Sequence, residues 1–130
     1  MAQRNTKCPA ETTLGVIGGR WKVVLLYHLF HGTKRFSQLR RAISGITQKM
    51  LTQQLREMER DGLVHREVYA AVPPKVEYSL TPLGMSLEPV IDAMCDWGLR
   101  YRRGELQPDA INLVVADLAA KHDGQPAQSK

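Results

Sequence analysis

Apolar and polar positions alternate with different periods along the chain, and the clearest pattern lies between Phe36 and Leu63. Leu51, Leu55 and Met58 recur at i, i+4 and i+7, which places them on one buried stripe of a helix. The other face of that helix carries Gln48, Lys49, Thr52, Gln53 and Arg56. Upstream, Leu39 and Ile43 lie four apart and predict a shorter helix facing inward, with the Ser37 hydroxyl as its cap. Ser44 and Gly45 break it, since glycine takes the left-handed conformation at a helix end at little cost. Ile46 plugs the angle between the helices, and Thr47 is the expected cap of the second.

Beyond Asp61-Gly62 the period changes. Val76, Tyr78 and Leu80 alternate with Lys75, Glu77 and Ser79, the pattern of a half-buried strand. His65 to Tyr69 is its expected partner, and Ala70 to Pro74 forms a tip stiffened by Pro73 and Pro74. The order is helix, turn, helix, hairpin. This predicts a winged helix-turn-helix, mainly α with a small β-wing, whose second helix is the recognition helix.

The flanks are predicted to be helical. Residues 1 to 7 read as a polar arm, and Pro9 to Thr13 as a single turn with proline at its first position. Leu14 to Phe30 reads as one long helix, with Leu14, Ile17, Trp21, Val24, Leu25 and His28 on one face. Gly18 and Gly19 in its middle each cost roughly 1 kcal/mol of helix propensity. That cost is justified if a second helix crosses there. Thr33 to Arg35 reads as a loop.

Thr81-Pro82 starts another helix running to about Tyr101, with a break near Met85 to Leu87 caused by Pro89. Leu87, Val90, Ile91, Met94, Trp97 and Tyr101 give it more apolar surface than one small core needs. Self-association through the terminal helices, as a homodimer, is the expected remedy. Ala110 to Lys121 is a third amphipathic candidate, and the segment from 123 to 130 reads as disordered. The expected organisation is an arm over 1–13, the winged domain over 14–81, dimerisation helices over 82–121 and a tail over 122–130.

Charge sharpens this picture. Residues 1 to 103 hold 16 Lys and Arg against 9 Asp and Glu, whereas residues 104 to 130 hold 2 against 4. The basic excess thus sits with the helix-turn-helix, as a double-stranded DNA footprint requires. Gln48, Lys49, Thr52, Gln53 and Arg56 are the expected base readers, because glutamine suits adenine and Lys or Arg suits guanine. Lys34, Arg35, Ser37, Thr47, Arg66 and Lys75 are the expected phosphate contacts. No apolar run approaches the roughly 18 residues of a membrane span, and the first residues lack the apolar centre of a secretory signal. A cytoplasmic protein is expected.

Cys8 and Cys95 match no zinc spacing, and His28 with His31 lacks the further ligands of a metal site, so neither a metal nor a cofactor is expected. Cys95, amid apolar neighbours, reads as a buried, inert thiol. Two other functional classes remain open from the residues alone. A winged helix can serve as a protein-interaction module without DNA, although Lys49, Arg56 and the basic excess argue against it. An enzyme with Cys8 as nucleophile lacks a nearby histidine, a phosphate loop or paired acids, so a non-enzymatic protein is expected.

Taken together, IGGRWK at 17–22, RFSQLRR at 35–41, GITQKMLTQQLREM at 45–58, DGLV at 61–64, VPPKVEYSLT at 72–81 and CDWG at 95–98 closely resemble HxlR-type bacterial transcriptional regulators. The resemblance covers about residues 8 to 103 in unbroken order. It implies a homodimeric winged-helix DNA binder, related in architecture to MarR-type regulators, on a pseudo-palindromic operator. The family commonly has a cysteine just before its first helices, and Cys8 occupies that place. In several members this cysteine senses oxidants, quinones or aldehydes, sometimes through a disulfide between subunits, so the resemblance implies an oxidant or small electrophile as effector. Arg4 and Lys7 nearby, and a helix beginning just after Cys8, favour a thiolate. A small packing residue without a sensory role is the alternative.

Overall fold

The computed structural model describes residues 8–107 and 119–120. The arm over residues 1–7, most of the helix expected over Ala110 to Lys121 and the tail expected over residues 122–130 lie outside them. The chain divides into two compact units, Met1–Ile91 and Asp92–Lys130.

The first unit begins with two helices, α1 (Pro9–Ile17) and α2 (Trp21–Leu29), where one long helix was expected. The glycine pair is the reason. Gly18 leaves the helix with an extended ψ of 164°, and Gly19 takes a φ of +92° that L residues avoid. Among the described residues no atom outside its chain neighbours lies within 4 Å of a β-carbon placed on Gly19, and no described helix crosses there. The glycines supply a bend. The bend also rotates the expected apolar face: Ile17, Leu25, Leu26 and Leu29 are buried, while Leu14 is exposed.

Lys34–Arg35, expected in a loop, form the short strand β1. The helix-turn-helix follows as α3 (Phe36–Ala42) and α4 (Gln48–Arg60). Ser37 is not the cap of α3. The helix starts one residue earlier, and the Gln38 side chain accepts a hydrogen bond from the Arg35 backbone N–H at 2.7 Å. Thr47 does cap α4, its hydroxyl oxygen accepting from Met50 N–H at 3.1 Å. Gly45 turns the chain at a φ of +86°. Leu39, Ile43, Ile46, Leu51, Leu55 and Met58 are all buried, so the inward stripes of both helices and the residue between them form one core.

The wing consists of β2 (Val64–Tyr69) and β3 (Lys75–Leu80), antiparallel, with Val64 opposite Leu80 and Tyr69 opposite Lys75. β1 adds to the other edge of β3, pairing Lys34 with Tyr78 and Arg35 with Glu77, so the sheet order is β1-β3-β2. Along β3 only Tyr78 is fully buried, its strand neighbours being half-covered. α5 (Pro82–Met85) starts at the Thr81 cap, and α6 (Glu88–Arg102) follows after the expected break.

Candidate nucleic-acid interface

The sequence of α4 builds a helix with two opposed faces. Leu51, Leu55 and Met58 are at most 1% exposed. Gln48, Lys49, Gln53 and Arg56 are exposed and Thr52 is half-buried, so the predicted base readers share the outer side. They line one open depression together with Glu57 and Arg60. Burial of the leucine stripe fixes the rotation of the helix, and the polar face must then point away from the core.

One further depression connects this face to the wing, and another lies at the wing tip. One joins Gln48, Thr52 and Arg56 to Phe36, Arg66 and Tyr78, so that Arg56 of α4 and Arg66 of β2 border a common groove. The other gathers Arg35, Ser37 and Lys75 around the prolines of the wing tip. Three of the six predicted phosphate contacts thus meet in one place although they come from three elements. Thr47 and Lys34 do not line this depression. The Thr47 hydroxyl is engaged in capping, and Lys34 is half-buried in β1.

Lys75 is less free than its sequence position implied. Its ammonium lies 3.6 Å from the Glu77 carboxylate and 4.6 Å from the centre of the Tyr69 ring. Such exposed pairings are weak, worth about 1 kcal/mol or less, and a phosphate can replace them.

Two further residues, Arg60 and Glu57, line the α4 face. Arg60 follows Arg56 by four positions and extends the cationic line by one turn, a spacing that was legible. Glu57 is an acid on this otherwise basic face. Its partner, Lys22 on α2, is 35 residues away and was invisible to local pattern. The Lys22 ammonium meets Glu57 Oε1 at 2.7 Å, and Gln53 Nε2 donates to Glu57 Oε2 at 3.4 Å. These bonds hold the Glu57 carboxyl below its usual pKa, the hydrogen bond from Lys22 being the larger cause and that from Gln53 the next. Lys22 thereby neutralises the one carboxylate lining the depression.

Of the other predicted residues, Ile91 is buried within its own chain at 0% exposure, and burial withdraws it from the expected dimer surface. Leu87 is half-buried. Val90, Met94, Trp97 and Tyr101 are exposed, and the last two rings stack with centroids 5.3 Å apart. Cys8 is an exposed free thiol at the start of α1. Cys95, expected to be buried, is only partly covered. His31 Nδ1 lies 2.9 Å from the Tyr27 carbonyl oxygen, closing the end of α2 as expected of a helix-end residue. His28 has its pKa lowered, chiefly by burial and then by His31 and Lys34. Among the described residues no helix is long and apolar enough to cross a membrane.

Known proteins show the same arrangement. The profile of the HxlR-like helix-turn-helix family matches residues 16–105, which contain α2, the helix-turn-helix, the wing and α6. The chain belongs to this family.

Within it, the HTH-type transcriptional regulator YdeP of Bacillus subtilis (strain 168) is 64% identical over 95 residues, covering 73% of this chain and 74% of that one. The solved structure of the redox regulator HypR in its oxidised form is 62% identical, with a TM-score of 0.67 over 70% of this chain and 94% of that one. HypR in its reduced form gives 59% identity and a TM-score of 0.70 over 73% and 94%. The HxlR-type chain described here is accordingly a DNA-binding transcriptional regulator with a winged helix-turn-helix.

Proposed function

We propose that this regulator binds a pseudo-palindromic operator in the cytoplasm as a homodimer, acts by binding and not by catalysis, and responds to oxidants or small electrophiles through Cys8. The observation that carries the DNA reading is the division of α4 into a fully buried apolar stripe and an outward face bearing Gln48, Lys49, Thr52, Gln53 and Arg56. In a dimer the two α4 helices enter successive major grooves about 34 Å apart. Arg35, Ser37 and Lys75 hold phosphate at the wing tip, Arg66 holds it along the groove shared with Arg56, and Lys34 and Thr47 add contacts beside Arg35 and at the start of α4. Val90, Met94, Trp97 and Tyr101 form the contact with the second copy, and their exposure in the single chain supports this reading.

For the switch, support comes from the exposure of Cys8 and from the likeness to a redox regulator solved in both oxidised and reduced forms. An oxidant accepts two electrons and two protons as the Cys8 S–H bonds of two subunits give way to one S–S bond. An electrophile instead bonds to the same sulfur as its proton leaves. Either product at the start of α1 changes how the two subunits meet. The separation of the recognition helices then changes, and operator affinity with it.

The contact map is tested by gel-shift titration on duplex selected by the full chain from a random pool. Gln53→Ala relaxes preference at one base position, at a cost of roughly 1–3 kcal/mol. Lys75→Ala weakens all sequences alike and lowers the salt slope by about one. Unchanged affinity in both variants contradicts the map.

A further inference from the structure

Glutamine is an ambiguous reader. Its amide can turn over, offering either an acceptor or a donor to a given point on a base edge. Gln53 is not in that position. Its Nε2 donates to Glu57 Oε2 at 3.4 Å, a long bond whose direction is set by charge. The opposite orientation would place Gln53 Oε1 against a carboxylate oxygen, acceptor facing acceptor. The other oxygen of the same carboxylate is held by Lys22 at 2.7 Å, in a partly buried ion pair with side chains 13% and 26% exposed. Lys22 belongs to α2, outside the recognition helix, so the carboxylate is anchored from a separate element. It splits its two oxygens between the anchor and the reader.

We infer that Glu57, anchored by Lys22, is a positioning residue for operator recognition: it fixes the Gln53 amide so that this position reads adenine. With one N–H occupied by Glu57, Gln53 presents its second N–H beside Oε1. That donor-beside-acceptor pair matches the N7 acceptor and N6 donor of adenine in the major groove. Guanine offers two acceptors, N7 and O6, and thymine an acceptor and a methyl group, so neither satisfies the fixed amide. Cytosine meets only its acceptor. Specificity at this base therefore depends on an acid that touches no DNA, and on a lysine one element further away. The inference rests on the reading of α4 as the base-reading helix.

The test is selection of bound duplexes from a randomised pool by the full-length chain, with Gln53→Ala and Glu57→Gln compared with wild type. Glu57→Gln preserves volume and removes the charge, so the Gln53 amide can turn either way. The expected wild-type result is one position per half-site at which adenine exceeds guanine by roughly tenfold or more. Gln53→Ala flattens that position alone, and Glu57→Gln flattens the same position to within about threefold while the preferences at the other positions are kept. A merely structural staple between α2 and α4 would move affinity or stability without moving the base preference at one position. If Gln53→Ala flattens one position but Glu57→Gln leaves its preference intact, the positioning role is overturned and base reading stands. If the position that Gln53 reads favours guanine, the fixed orientation is wrong. If Gln53→Ala flattens no position, base reading by Gln53 fails, and the inference with it.

Discussion

A β-carbon on Gly84 would lie 2.2 Å from the carbonyl oxygen of Leu63. The first turn of α5 is therefore pressed against the joint between α4 and β2. Two hydrogen bonds fasten the same place: the Thr81 N–H donates to the Leu63 carbonyl oxygen at 3.0 Å, and the Thr81 hydroxyl donates to the Gly62 carbonyl oxygen at 2.5 Å. Since the blocking atom is backbone, no side chain can swing away. Gly84→Ala is expected to destabilise the fold by about 2–3 kcal/mol, read as a lower midpoint in urea at unchanged slope. A midpoint equal to that of wild type would mean that α5 moves freely at this joint.

The Lys22–Glu57 pair makes stability depend on pH with a definite sign. The Glu57 carboxyl has a lower pKa in the folded chain than its ordinary value of 4.5. A depressed folded value means stabilisation that is present above the unfolded pKa and lost as pH falls through the folded one. Wild type is thus expected to melt at a higher temperature than Glu57→Gln at neutral pH, and the gap is expected to close as pH drops below 4.5. A gap that stays constant down to about pH 3 would show that the ion pair is not its source.

What was legible in the sequence follows from the range of the interactions involved. The stripe of Leu51, Leu55 and Met58, the Thr47 cap, the Gly45 turn and the hairpin are all set within a few residues, and all appear in the structure. The split between α1 and α2 is not legible in the sequence, because Gly18-Gly19 can serve either as a close-packing site or as a bend. The positive φ of Gly19 decides, and no described helix packs against it. β1 was missed because two residues have no period. Pairing of Lys34 with Tyr78 makes it a strand, across 44 positions of sequence. On the interface, Lys22 escaped notice for the same reason. Its role exists only where α2 meets α4.

Dimer formation is expected to depend on the exposed aromatic pair of α6. Trp97→Glu places a charge beside the Tyr101 ring, with which Trp97 now stacks at 11° between planes. Sedimentation should show the wild type as a dimer and this variant shifted to monomer, with operator affinity falling by at least tenfold through the loss of the linked second half-site. A Trp97→Glu chain that sediments as a dimer would place the subunit contact elsewhere.

Oxidant response is expected to require the exposed thiol of Cys8. Diamide treatment should change the operator affinity of wild type and leave that of Cys8→Ser unchanged, with reversal by dithiothreitol as expected for a reversible thiol product. Equal responses of the two proteins would remove Cys8 from the mechanism and turn attention to Cys95, which is partly covered.

Operator reading by paired α4 helices is tested most directly by hydroxyl-radical footprinting of the full-length protein on duplex that it has itself selected. Two α4 helices on one operator give two protected tracts related by a dyad, with centres about 34 Å apart along the helix axis, and both are lost when Gln48, Lys49 and Gln53 are replaced together by alanine. A single protected tract, or protection that survives the triple replacement, would contradict the claim that a pair of α4 helices reads the operator.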